Sequence, residues 1–167
     1  MATIDLSRLR VGDGVLSDYT LTELSTSSFI KSLSTFTEEH FRGILSLDVT
    51  NNDSGIVTVC TDGFAFFLKM LLFRVYGQVE IKASLNCDRH TMIIEFDLGG
   101  ARIDTSGLSE IAERSGFAIE LTGDFAIKLI AKVKRTHALR VYAGDAEALI
   151  RALYASFFMN KLNKYSY

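Results

Sequence analysis

The sequence predicts an α/β domain, a two-layer α/β sandwich with a mixed sheet. Three observations lead there. One long amphipathic helix stands between Asp62 and Gly77, strand-like runs bounded by turn residues flank it, and the elements follow in the order αββαββααβ. Helices and strands in that order bury themselves by laying the helices on the sheet.

The elements can be justified in turn. Residues 1–19 show no clear period, contain Gly12 and Gly14, and are expected to be a linker, leaving 20–167 as the folded domain. From about Tyr19 to Phe41, the positions Leu24, Ile30, Leu33, Phe36 and Phe41 form a loose helical stripe, which Gly43 ends. Ile44 to Thr50 reads as a strand, Asn51 to Gly55 as a turn, and Ile56 to Cys60 as a second strand. Asp62 can cap the next helix. Its core face is Phe64, Phe67, Leu68, Leu71, Leu72 and Val75, and Gly77 supplies the left-handed residue that ends it. Phe66, Met70 and Phe73 add a second apolar stripe on its flank.

Residues 78–86 and 92–97 predict a strand pair around Asp88-Arg89-His90, and Gly99 and Gly100 break the pattern after it. A short helix is expected from Ser106 to Arg114, and an extended piece from Phe117 to Leu121. Thr122 or Asp124 can cap a further helix running to about His137, with Ala126, Leu129, Ile130 and Val133 on its core face. Ala138 to Ala143 reads as a strand. Asp145 to Met159 fits a helix by composition and a strand by its place at the end of the sheet.

Composition narrows the function. The chain has 167 residues and a formal charge of −2, so it lacks the basic excess of an electrostatic nucleic-acid binder. Its longest apolar run, Phe64 to Phe73, is interrupted by Lys69 and falls short of the roughly 20 residues a membrane span needs. With no signal-peptide pattern at Met1 to Asp5, a cytoplasmic location is expected. Cys60 and Cys87 are far apart and form no CxxC pair, so both are expected as buried thiols. Of the histidines, only His90 stands at ligand spacing from a cysteine, Cys87, and two ligands do not make a zinc site.

Taken in order, the segments resemble the ATP-binding domain of bacterial sensor histidine kinases. Asp5-Leu6-Ser7-Arg8-Leu9-Arg10-Val11-Gly12 is similar to the exit of that family's dimerisation helix, and Tyr19 to Leu24 to the opening of the catalytic domain. Gly43 to Leu47 looks like the strand after its first helix. The Asp62–Gly77 helix takes the place of the nucleotide-contacting helix, and Val79 to Ile81 with Met92 to Asp97 that of the following hairpin. Thr122 to His137, TGDFAIKLIAKVKRTH, is similar to the helix after the second glycine motif. The resemblance implies the fold shared with chaperone, gyrase and mismatch-repair ATPases, and ATP held with Mg²⁺.

The residues that this chemistry needs are depleted. The resemblance calls for an asparagine on the helix to coordinate Mg²⁺, a hard ion that prefers oxygen. From Ile56 to Leu85 there is none. Asp97 and Gly99 match the adenine-contacting aspartate and first glycine of DxGxG, while Ala101 replaces the second glycine; Asp97 to Gly100 equally suits a plain strand-ending turn. Gly123 is what remains of the second glycine motif, and Asp124 beside it would repel phosphate although it suits a helix cap. Phe66, Met70 and Phe73 are expected to fill the nucleotide's space. No cofactor is therefore expected, with ATP and Mg²⁺ held through Asp97, Gly99 and Gly123 as the alternative.

His40, after Glu38-Glu39, has the look of a phospho-acceptor but falls in the catalytic domain of the resemblance. Lys128, Lys132, Lys134, Arg135 and Arg140 are expected near a helix C-terminus, as a solvated face or as a docking patch for an acidic partner. Three functions follow: a degenerate domain working through contact with a response regulator or histidine kinase partner, an atypical nucleotide-binding kinase domain, or a structural module that forms a homodimer.

Overall fold

The computed structural model describes residues 4–6, 18–122, 126–135 and 147–158. Its elements are β1 (Thr22–Ser25), α1 (Thr26–His40), β2 (Leu45–Asn52), β3 (Ile56–Val59), α2 (Thr61–Val75), β4 (Ile81–Cys87), β5 (Thr91–Asp97), α3 (Leu108–Arg114), β6 (Ala118–Thr122), β7 (Ala126–Lys134) and α4 (Ala148–Phe157). The expected two-layer α/β architecture is what forms.

The strands make one mixed sheet in the order β1-β3-β7-β5-β4-β2, with β6 also paired to β7. Among the described residues only β2 and β4 run parallel; the other pairs are antiparallel. Side chains alternate across the sheet. On β4, Ile81, Ala83, Leu85 and Cys87 are buried while Lys82 and Asn86 are exposed, so one face meets the helices and the other meets water.

The helices form for local reasons and are held by packing. Ser25 caps α1 by accepting from the Ser28 N–H, and Phe29, Ile30, Leu33 and Phe36 are its buried stripe. The α2 cap is Cys60, whose Sγ accepts from the Gly63 N–H at 3.3 Å, and Asp62 stands in the first turn instead. Gly77, at φ +81°, lies just past the helix in the expected left-handed conformation. The core face of α2 is buried as expected, and Phe29, Phe64 and Phe117 pack ring to ring where α1 and α2 begin. The segment Asp145–Met159, left between helix and strand, contains α4, which packs on α1 and α2 through Leu149, Ala152, Leu153 and Phe157. Ile4 and Leu6, in the segment expected as a linker, are buried in this core, and Ile4 donates its N–H to the His40 carbonyl.

Two expected helices differ in the structure. The helix expected to begin near Tyr19 starts at Thr26, because Thr22–Ser25 pairs with β3 as a strand. The helix expected from Thr122 to His137 is the end of β6 and the whole of β7 as far as the chain is described. AIKLIAKVK carries apolar residues at both spacings. The period of two prevails because Ile127, Leu129 and Ala131 bury themselves under the helices while β7 pairs with β5, β6 and β3. The strand expected at Ala138–Ala143 lies outside the described residues.

Candidate functional site

Asp97 ends β5 and its side chain is exposed. Its Oδ1 accepts from the Gly99 N–H at 2.9 Å, closing a local turn that Gly99 and Gly100 complete at φ +59° and +85°. Gly123 and Asp124 lie outside the described residues, so nothing places them beside Asp97.

The loop after Asp97 is fastened to the C-terminal half of α2. Gln78, just past the helix, accepts from the Arg102 N–H at 3.0 Å and donates Nε2 to the Arg102 carbonyl at 3.1 Å. Arg74 donates Nη1 to the Asp104 carbonyl at 2.6 Å and the Ser106 carbonyl at 2.8 Å. These last are charge-assisted bonds, the stronger kind. Asp104 in turn bonds the backbone and hydroxyl of Ser106, whose bonds hold its carboxyl below the usual range. The C-terminal end of α2 is thus laced to the loop after Asp97. Sequence reasoning missed Arg74 and Gln78, because nothing local marks partners 24 to 32 residues away.

Phe66, Met70 and Phe73 stand on the outer side of α2. Phe66 and Met70 are half-buried, Phe73 is 41% exposed, and Tyr76 beside it is 54% exposed. Of the three residues expected to fill the nucleotide's space, Phe73 is thus the one on the surface. Together the four make an apolar stripe along the helix.

The basic residues also sit differently from the expectation. Lys128, Lys132 and Lys134 project from the open face of β7, where Lys128 is 3.9 Å from Glu95 and Lys134 is 3.9 Å from Glu23. They complement neighbouring strands rather than a helix end; Arg140 lies outside the described residues. His40 is enclosed by Phe36, Tyr154 and Phe158, and its Nε2 lies 3.0 Å from the Tyr154 hydroxyl. Its Nδ1 is buried without a partner, a poor setting for a phospho-acceptor. Cys87 is buried and donates to the Asp53 carbonyl, while His90 is exposed. Among the described residues, no three His, Cys, Asp or Glu side chains gather as a metal site, and no helix is long and apolar enough to cross a membrane.

Solved structures provide the comparison. The fold is similar to that of histidine kinase catalytic domains. The ATP binding domain of PrrB from Mycobacterium tuberculosis is 11% identical, with 70% of this chain and 98% of that one covered and a TM-score of 0.44. The histidine kinase domain of the E. coli osmosensor EnvZ is 8% identical, with coverage of 77% and 96% and a TM-score of 0.42. The cytoplasmic segment of histidine kinase QseC is 17% identical, with coverage of 74% and 79% and a TM-score of 0.42. No protein-family model and no curated protein matches the chain.

Proposed function

We propose that the chain is a degenerate histidine kinase ATPase-like domain that acts in phosphotransfer signalling by protein–protein contact, without ATP hydrolysis or phosphotransfer of its own. The observation that carries this reading is the lacing of α2 to the loop after Asp97 by Arg74 and Gln78. A nucleotide entering there would have to break these bonds, and α2 offers no asparagine for Mg²⁺ in exchange. The residues present do not fit ATP with its metal. The outer stripe of Phe66, Met70, Phe73 and Tyr76 is the surface for a partner, a response regulator or a kinase.

Calorimetric titration of the whole chain with ATP and ADP, with and without Mg²⁺, tests this. No heat is expected from the wild type. Saturable binding that disappears in Asp97→Ala would overturn the reading and make the chain an atypical nucleotide-binding domain. An Arg74→Ala/Gln78→Ala variant that gains binding would show that the lacing is what excludes nucleotide.

A further inference from the structure

β2 is the last strand on its side of the sheet, and β4 is its one partner among the described residues. The Ile44 carbonyl accepts from the Ile81 N–H on the β4 side at 2.9 Å, whereas the Leu45 N–H turns the other way, to the Phe41 carbonyl at 3.0 Å. Backbone groups alternate in direction along a strand, so those of Leu47 and Val49 point outward, where no described residue meets them. Natural edges are blunted with lysine, proline or bulges. From Leu45 to Asn52 there is no lysine and no proline, and the one irregularity lies at the far end, between Val49 and Asn51.

Beside this edge runs a groove of about 700 Å³ between α1 and β2. Leu45, Leu47 and Val49 form one wall, and Ser34 and Thr37 belong to the other. The Thr37 hydroxyl is buried there without a partner. Around the groove and edge stand Glu38, Glu80 and Asp48, all exposed and none ion-paired among the described residues. Arg42 is the one cation of the lining, and Lys82 on β4 lies opposite Asp97.

We propose that the β2 edge receives an extended segment of a partner protein in which apolar and basic residues alternate. The segment adds to the sheet as one more strand, its apolar side chains enter the groove beside Leu47 and Val49, and its cations, on the opposite face, meet Asp48, with Glu38 and Glu80 adding to the negative field around the edge. A second copy of the chain would instead set this acidic rim against its like. The site is independent of the reading given for α2 and the Asp97 loop.

The probe is a synthetic peptide of about ten residues in which valine alternates with lysine, followed by fluorescence anisotropy and by amide hydrogen exchange of the full chain. Exchange at Leu47 and Val49 should slow on binding, and a valine–glutamate peptide should bind about tenfold more weakly at low salt. Alternate N-methylation of the peptide should abolish binding, as should Leu47→Pro, while Leu47→Ala keeps a measurable part. Equal binding of the N-methylated peptide, or unchanged exchange at Leu47 and Val49, would overturn the proposal. So would protection of these amides that grows with protein concentration alone, which would give the edge to a second copy.

Discussion

Lys69 lies on α2 with 5% of its surface exposed, and among the described residues no carboxylate neutralises it. Burial pushes its ammonium below the ordinary lysine value of 10.5. In the window just below 10.5 the unfolded chain therefore holds the proton that the folded protein has released. Stability from this group rises as pH climbs through that window. Cys60 and Cys87 work in the opposite direction, since burial raises both above 9.0 and the unfolded chain ionises first. Lys69→Met should stabilise the protein at neutral pH by about 1 kcal/mol or more. Subtracting its denaturation curves from the wild type's, pH by pH, should isolate a difference that shrinks toward alkaline pH. The lysine was legible as an interruption in the apolar run Phe64–Phe73, but its lack of a partner was not, because partners are a property of the fold.

At the scale of elements, the two glycines that follow α2 and α3 make a useful contrast. Both have positive φ, but a Cβ on Gly116 would come within 2.6 Å of the Thr58 carbonyl, whereas one on Gly77 would meet nothing within 4 Å. Gly77→Ala should cost about 1 kcal/mol for the left-handed backbone alone. Gly116→Ala should cost about 3 kcal/mol, since strand β3 must also shift, and urea denaturation would resolve the two. Beside α2, Phe73→Ser with Tyr76→Ser, the two exposed members of the stripe, should leave the thermal midpoint nearly unchanged and weaken capture of a partner receiver domain about tenfold, read by surface plasmon resonance. A large drop in midpoint would instead make these side chains structural. Elements with one unambiguous period, such as α2 and the β4–β5 pair, were readable from the sequence. AIKLIAKVK was not, because helical and alternating patterns coexist in it and only the neighbouring strands decide. TELS is too short to show any period, and β3 alone makes it a strand. The Asp97–Gly100 turn was visible as a motif; what closes the space beside it was not, since Arg74 and Gln78 find their partners only through the fold.

Across the whole molecule, the helical layer depends on its last element. Phe36 of α1 packs 5.2 Å from the Tyr154 ring and 6.0 Å from that of Phe157, and Phe41 lies 5.1 Å from Phe157. A chain cut before α4 leaves these rings uncovered. It should lose more than about 3 kcal/mol and bind a hydrophobic dye, checked by denaturation and dye fluorescence against the full chain. Dye-free, equally stable truncated protein would show that α4 is dispensable.

The same packing sets a timetable during synthesis. A ribosome releases α1 and α2 long before α4, so their apolar flanks wait in the open while more than 70 further residues are added beyond Val75 of the 167. Until α4 emerges, the nascent chain is sticky and a natural client for a holding chaperone, and a message truncated ahead of the α4 codons yields a product marked for degradation.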